Sequence, residues 1–163
     1  LIKKNSEFFS KYDVVLVDTN PGSNLLNQNL MIAADNVLIP VSLDILSMKS
    51  LKLMAAELAA VEEIDPGIRS LMMVGNSHQP NTLHSVASLG SLQKNYPEQI
   101  LNTVIPAYAG FKRQGWGPQD EPQLLIEKEP TSAAGRLITE LALEIAERLL
   151  WAASSDEVAA TPS

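Results

Sequence analysis

One stretch near the start of the chain decides the fold, and it reads Tyr12-Asp13-Val14-Val15-Leu16-Val17-Asp18-Thr19-Asn20-Pro21-Gly22. Residues 13–17 form a short apolar run that is rich in β-branched side chains, and the polar residues, proline and glycine after it are typical of a turn. The pattern predicts a buried strand that leads into a loop, with Asp18 at the junction.

Similar apolar runs at 36–41, 70–74 and 100–105 predict three more strands. Helical patterns cover 25–34, 48–64, 82–96 and 132–151, with apolar stripes that include Leu83, Val86, Leu89 and Leu92 in the third and Ile138, Leu141, Ile145 and Leu149 in the last. The strands are continuous runs, as in parallel sheets that are covered on both faces. We therefore expect an α/β fold with three layers, in which helices flank a mostly parallel sheet.

Composition excludes several classes of protein. The chain has 163 residues, of which 45% are hydrophobic and 19% charged, so it can bury a core and is not disordered. It has no cysteine, which excludes disulfides, thiolate metal sites and a self-ligated iron–sulfur cluster. The net charge of −7 argues against a broad phosphate-binding surface. No apolar run approaches the roughly 20 residues of a membrane span, so we expect a cytoplasmic protein without membrane contact.

Polar residues follow each predicted strand, at the edge where open α/β sheets bind ligands. They include Asp18-Thr19, Ser42, Gly75-Asn76 and the segment from Pro106 onward. A rigid strand that ends in one acid, followed by a Thr-x-Pro-Gly loop, can place a carboxylate near hydrated Mg²⁺ and couple the loop to a γ-phosphate. The alternative from the residues alone is that Asp18 only caps the turn.

The order of these motifs resembles the ParA/MinD family of deviant Walker ATPases. The resemblance runs in sequence order over most of residues 1–152 and rests on residues 12–21, residues 30–40, Thr103-Val104-Ile105-Pro106, Pro122-Gln123-Leu124, Ser132-Ala133-Ala134, and Leu141, Ala142, Glu144 and Ile145. It implies a partial ParA-like ATPase domain over residues 1–152 with a P-loop NTPase-like fold. Residues 153–163 are expected to form a flexible acidic tail.

The same resemblance implies the site residues and cofactors. Asp18 corresponds to the Walker B acid, which acts on Mg²⁺ through water, and Thr19, Asn20, Pro21 and Gly22 correspond to the second switch loop. Asn20 and Gly22 depart from the residues usual in the family. Asn76 and Pro106 lie where the family contacts the adenine of ATP.

The family's phosphate-binding loop has no counterpart in this sequence. The chain contains no Gly-x-x-x-x-Gly-Lys-Ser/Thr motif and no doubly lysine-bearing variant of it. In the family this loop lies upstream of the Walker B strand, and the strand that carries it is central in the sheet. We therefore expect that the first part of the protein lies outside this chain and that the chain alone is inactive; a relative that has lost the loop is the alternative.

The implied function is that of the C-terminal portion of a ParA-like ATPase, in which ATP binding and hydrolysis switch dimerisation and position or segregate DNA, as in plasmid or chromosome partitioning, or another cargo. Implied partners are a second copy, non-specific DNA and a ParB-like stimulator. The main alternative is a non-catalytic relative that binds a partner. A neighbouring family, such as an amidotransferase-linked synthetase, is a third possibility, whereas a nitrogenase-type iron protein is disfavoured because its cluster cysteine is missing.

Two groups of side chains remain ambiguous in the sequence. Lys112 and Arg113 lie beside aromatic residues in the long segment 106–130 and could contact DNA or a partner, with Arg136 extending the patch; an ordinary surface is the alternative. His78 and His84 are six residues apart and have no clustered acidic partner, so we interpret them as surface histidines and not as metal ligands.

Overall fold

From the second strand to the last helix, strands and helices alternate along the chain, as the sequence predicts. A computed structural model describes residues 6–20, 24–44, 70–107, 127 and 129–159. In chain order its elements are α1 (Ser6–Phe9), α2 (Leu25–Ala33), β1 (Asn36–Ser42), β2 (Ser70–His78), α3 (Leu83–Asn95), β3 (Ile100–Pro106) and α4 (Ala133–Ala159). The predicted helix at 48–64 and most of the segment 106–130 lie outside the described residues.

The strands form one parallel sheet in the order β1-β2-β3. The first pair runs in register from Asn36 opposite Ser70 to Ser42 opposite Asn76. Because the strands run in the same direction, a crossover connection must join each strand to the next, and α3 is that connection between β2 and β3. This arrangement confirms the predicted α/β fold with a parallel sheet.

Both faces of the sheet are covered, which explains why the strands are continuous apolar runs. One face holds a buried cluster of Ile39, Val41, Leu43, Met73, Leu92 and Ile100. The other face holds Met72, Val74, Leu101 and Ile105, against which α4 packs Leu137, Ile138, Leu141, Ile145 and Leu149. The predicted stripe of the last helix is therefore confirmed. Each fully buried aliphatic side chain contributes about 1.5–3 kcal/mol.

The buried face of α3 differs from the predicted stripe. Leu83 and Val86 are exposed, whereas Ser85, Ser88 and Leu92 are buried. A spacing of three drifts around a helix because each residue turns by about 100°. Leu83 and Leu92, nine residues apart, therefore lie on opposite sides of α3, and only the second half of the stripe can face the sheet.

The apolar run at 13–17 does not form the predicted buried strand. Val14, Val15, Leu16 and Val17 are all exposed, and Leu16 keeps 91% of its surface accessible. A strand needs a neighbour that offers backbone hydrogen bonds, and within the described residues no strand pairs with this segment. The sequence identifies an apolar run correctly, but the partner that would make it a strand is missing from the described part of the sheet.

A bulge interrupts β3 before its carboxyl end. Met73 pairs with Ile100 and Gly75 with Val104, so β3 has two more residues than β2 between these pairs. The carboxylate of Glu144 on α4 accepts hydrogen bonds from the backbone N–H groups of Asn102 (2.6 Å) and Thr103 (2.9 Å). Such a carboxylate satisfies donors that the irregular ladder leaves unpaired.

One turn further along α4, Arg148 donates to the carbonyl oxygens of Glu98 (2.6 Å) and Ile100 (3.5 Å). The side chains of Glu144 and Arg148 thus bind backbone donors and acceptors of the same strand segment. Partial burial alone would raise the pKa of Glu144. The hydrogen bonds from Asn102 and Thr103, together with the charge of Arg148, outweigh that effect and hold the pKa below its ordinary value.

The start of α4 depends on a capping serine and a glycine. Ser132 accepts a hydrogen bond from the Gly135 N–H at 3.0 Å, which satisfies a donor of the first turn. A Cβ on Gly135 would lie 2.6 Å from the carbonyl oxygen of Pro130, so the preceding segment can approach the helix only because this residue is glycine. The helix continues to Ala159, beyond the predicted end near residue 151, so residues 153–159 of the segment expected to form a flexible tail are helical. Among the described residues, no helix is both long and apolar enough to cross a bilayer.

Candidate nucleotide-binding edge

The carboxyl ends of the strands bring three of the predicted polar positions together. Ser42 lies opposite Asn76, and the backbone of β2 continues to His78, which lies opposite Pro106. The ends are tied by hydrogen bonds from Leu43 N to Asn76 O (3.0 Å) and from Ala107 N to His78 O (2.9 Å). Asn76 and Pro106, thirty residues apart in sequence, therefore occupy one edge of the sheet.

The end of β2 has an unusual backbone conformation. Ser77 has a φ of 57°, in the left-handed region that non-glycine residues rarely adopt. The side-chain Oδ1 of Asn76 accepts a hydrogen bond from Ser77 N at 2.8 Å and so stabilises this turn of the chain. Such conformations cost about 1 kcal/mol or more and are concentrated at functional sites. Asn76 thus shapes the edge as well as lying on it.

The imidazole of His78 is held beside this turn. Its Nδ1 lies 2.9 Å from the Oγ of Ser85 in the first turn of α3, and the same Oγ accepts a hydrogen bond from Gln79 N at 2.9 Å. Ser85 is only 3% exposed. The sequence predicts a surface position for His78, whereas the structure shows a half-buried residue whose ring contacts Ser85. The sequence offered one signal for this contact, which is the polar Ser85 in a helix that was predicted from its apolar residues.

The predicted switch loop is described only in part. Asp18, Thr19 and Asn20 are exposed, while Pro21 and Gly22 lie outside the described residues. The carbonyl oxygen of Asn20 accepts a hydrogen bond from the side-chain Nδ2 of Asn27 at 2.8 Å. Asn27 is buried in the first turn of α2, where its N–H bonds to the capping side chain of Asn24 at 2.9 Å. The loop after Asp18 is therefore anchored to α2.

Comparison with known proteins agrees with this arrangement. A family model described as "AAA domain" matches residues 1–70. The cell division protein PomZ of Myxococcus xanthus is 30% identical over 146 residues, which are 89% of this chain and 44% of the relative. The chromosome-partitioning ATPase Soj of Thermus thermophilus is 27% identical over 143 residues, which are 85% of this chain and 54% of the relative. The chain belongs to the ParA/MinD family of ATPases.

A third relative, protein IncC of Escherichia coli, is 33% identical over 101 residues, which are 62% of this chain and 27% of that protein. The chain thus spans about half, or less, of the length of the curated relatives that it matches. The ParA/MinD assignment accounts for the parallel α/β fold. Activity, substrates and partners of a whole protein do not follow from a match of this extent.

The residues present fit a nucleotide with magnesium only in part. A carboxylate such as that of Asp18 is a hard oxygen ligand of the kind that Mg²⁺ prefers, either directly or through water. Asn76, His78 and the backbone at Pro106 offer polar groups at one edge. The sequence has no phosphate-binding loop. In the described ranges there is no cluster of three or more acidic or histidine side chains that could hold a metal by itself.

The predicted basic patch is only partly visible. Arg136 is exposed in the first turn of α4, and its guanidinium donates to the carbonyl oxygen of Thr131. Lys112 and Arg113 lie outside the described residues. Whether the three basic side chains form one surface therefore stays a prediction.

Proposed function

We propose that this chain forms the base-binding part of a ParA-like ATPase that couples ATP binding and hydrolysis to dimerisation, and thereby positions or segregates DNA or another cargo. The observation that carries the proposal is that Asn76 and Pro106 lie at the same end of the sheet. These are the two residues that the family resemblance assigns to adenine, and the parallel pairing of β2 with β1 and β3 brings them to that end.

Asp18 is the acid of this site in the proposal, and it acts on Mg²⁺ through water. Residues 19–22 form the loop that responds to the γ-phosphate. The hydrogen bond from Asn27 to Asn20 supports this role, because it gives the loop a fixed point on α2 from which the rest can move. Residues 1–152 form the ATPase part and residues 153–163 an acidic tail.

The strand with the phosphate-binding loop would lie between the run 14–17 and β1. The run 14–17 supports this arrangement, because it has the apolar composition of a buried strand and no strand pairs with it among the described residues. A strand inserted there would offer hydrogen bonds to both neighbours. A second copy, non-specific DNA contacted by Lys112, Arg113 and Arg136, and a ParB-like stimulator are the partners of this proposal.

The test uses the full product of the reading frame that encodes this chain. We expect Mg²⁺-dependent ATP hydrolysis, and a shift from monomer to dimer in light scattering when ATP is added. Asp18→Ala should reduce hydrolysis at least 100-fold, because it removes the group that orients the metal and its water.

Asp13→Ala is the matched control, since Asp13 is an exposed acid five residues earlier on the same segment. It should leave hydrolysis within about two-fold of the wild type, as expected for a surface change away from the site. Equal rates for the Asp18 and Asp13 variants would refute the assignment of Asp18.

A non-catalytic, partner-binding relative that has lost the phosphate-binding loop is the second candidate. The two candidates differ in one measurement. A reading frame whose full product contains no such motif and binds no ATP supports the second candidate and excludes the first.

A further inference from the structure

The ring of His78 is fixed more firmly than a surface histidine needs to be. Ser85 accepts one hydrogen bond from Gln79 N, and its hydroxyl also lies 2.9 Å from the Nδ1 of His78. A hydroxyl has one donor and two acceptor positions, so it can serve both partners at once. Because Ser85 contacts both partners, it links the ring to α3 and to the backbone after β2. The serine is itself buried.

This attachment determines which ring nitrogen remains available. Nδ1 is occupied by Ser85, whereas the described residues provide no hydrogen-bond partner for Nε2. Fixing an imidazole with one nitrogen engaged and the other open is the usual way to present a defined donor or acceptor to a ligand. A freely rotating surface side chain would present neither.

The ring also lies at the right place in the sheet. His78 pairs with Pro106 and follows the left-handed Ser77, whose conformation is held by Asn76. The three residues thus form one strand end, in which Asn76 and Pro106 are the proposed contacts of the base.

We propose that His78 is a further base-contacting residue, which presents Nε2 to the base of the bound nucleotide, and that Ser85 is the positioning residue that sets the ring. This inference rests on the proposed function of the same edge. The proposal gives neither residue a role in phosphate chemistry, because the structure places them beside the proposed base contacts.

The test separates base binding from phosphate binding. Dissociation constants of the full-length protein are measured for Mg-ATP and for magnesium tripolyphosphate, which has the phosphates but no base. His78→Ala should weaken ATP binding about 5–10-fold, as expected for one lost hydrogen bond, and leave tripolyphosphate binding unchanged. Ser85→Ala should weaken ATP binding about 2–5-fold, because the ring then samples other rotamers.

His84→Ala is the matched control, since His84 is exposed and lies one residue before Ser85. It should change neither constant. ATP binding by the His78 variant equal to that of the wild type overturns the inference alone, and so does an equal loss of ATP and tripolyphosphate binding. A wild-type protein that binds neither ligand overturns the inference and the proposed function together.

A second readout does not depend on the stability of any variant. This chain contributes two histidines, His78 and His84, whose ring signals are assigned in nitrogen-15 spectra of the labelled full-length protein. ATP should shift the Nε2 signal of His78 and not that of His84, and tripolyphosphate should shift neither. An unshifted His78 signal in the ATP-saturated protein contradicts the contact.

Discussion

Replacing Glu144 by glutamine should loosen the attachment of α4 to β3. The carboxylate accepts hydrogen bonds from two successive backbone N–H groups, those of Asn102 and Thr103. Glutamine has one acceptor oxygen, and its amide group is a donor that would face the second N–H. The variant therefore loses at least one hydrogen bond and places a donor against a donor.

The expected loss follows from the character of these bonds. A hydrogen bond to a charged group contributes about 1.5–3 kcal/mol where it is shielded from water. Glu144 is only partly buried, so solvent screening lowers that figure, and glutamine retains one bond. We expect a loss of about 1–2 kcal/mol in the free energy of unfolding at pH 7, or roughly a 5–30-fold change in the unfolding equilibrium.

The pH dependence has a definite sign. Because the folded-state pKa of Glu144 is lowered from 4.5, the stabilisation is fully present above that value and disappears as the pH falls through the lower folded-state pKa. Below that range the wild-type side chain is protonated and resembles glutamine. The difference between wild type and variant should therefore shrink in acid.

Urea unfolding followed by circular dichroism measures both effects. Glu147→Gln serves as the control, since Glu147 is exposed on the same helix and the change in net charge is identical. Two results would refute this reasoning: an equal stability for the two variants at pH 7, or a difference at Glu144 that stays constant between pH 7 and pH 3.

Three further predictions concern packing and activity. Gly135→Ala should destabilise the chain by about 1–3 kcal/mol, because its Cβ would meet the backbone of Pro130, whereas Gly90→Ala should stabilise α3 by up to about 1 kcal/mol, since nothing lies within 4 Å of that position; urea midpoints that move in the same direction would contradict this pair. Leu92→Ala should cost about 2–5 kcal/mol, because the side chain is fully buried, and a midpoint like that of wild type would argue against the core assignment. The 163-residue chain alone should give no heat of ATP binding in calorimetry, since it lacks the phosphate-binding loop; micromolar affinity would show that the loop is dispensable.

Much of the fold was accessible from local patterns. Continuous apolar runs identified the three paired strands, and the stripe on the last helix matched its buried face. The failures arose where packing direction or pairing decides the outcome. Leu83 has the spacing of the stripe, but it lies on the exposed side of α3. The run at 13–17 has the composition of a strand, but no described strand pairs with it. A local stretch of sequence determines neither which part of a drifting stripe packs against the sheet nor which strands pair with each other.

The site divides in the same way. The sequence placed Asn76 and Pro106 at the carboxyl ends of parallel strands, and the structure has both residues at that end of the sheet. Their role in binding a ligand stays a prediction. His78 was interpreted as a surface histidine because its contact with Ser85 depends on how the turn after β2 meets the first turn of α3, which no local pattern shows. The hydrogen bonds from β3 to Glu144 could not be predicted either, since they depend on the bulge that leaves the N–H groups of Asn102 and Thr103 free to donate to the carboxylate.

The two outer strands of the described sheet differ in a way that bears on the proposed function. At β3, Glu144 and Arg148 occupy backbone donors and acceptors that another strand would need, so the sheet cannot easily extend there. At β1, the backbone N–H of Leu43 donates to β2. Because backbone groups alternate in direction along a strand, the N–H and C=O groups of the even-numbered residues point away from β2. Pro40 is one of these residues, and it lacks a backbone N–H, so one donor is missing from this side of the strand. The neighbouring Leu38 keeps 40% of its surface exposed. Among the described residues no strand pairs with β1 on its outer side, whereas side chains of α4 occupy the backbone on the outer side of β3. The proposed strand of the phosphate-binding loop lies beside β1.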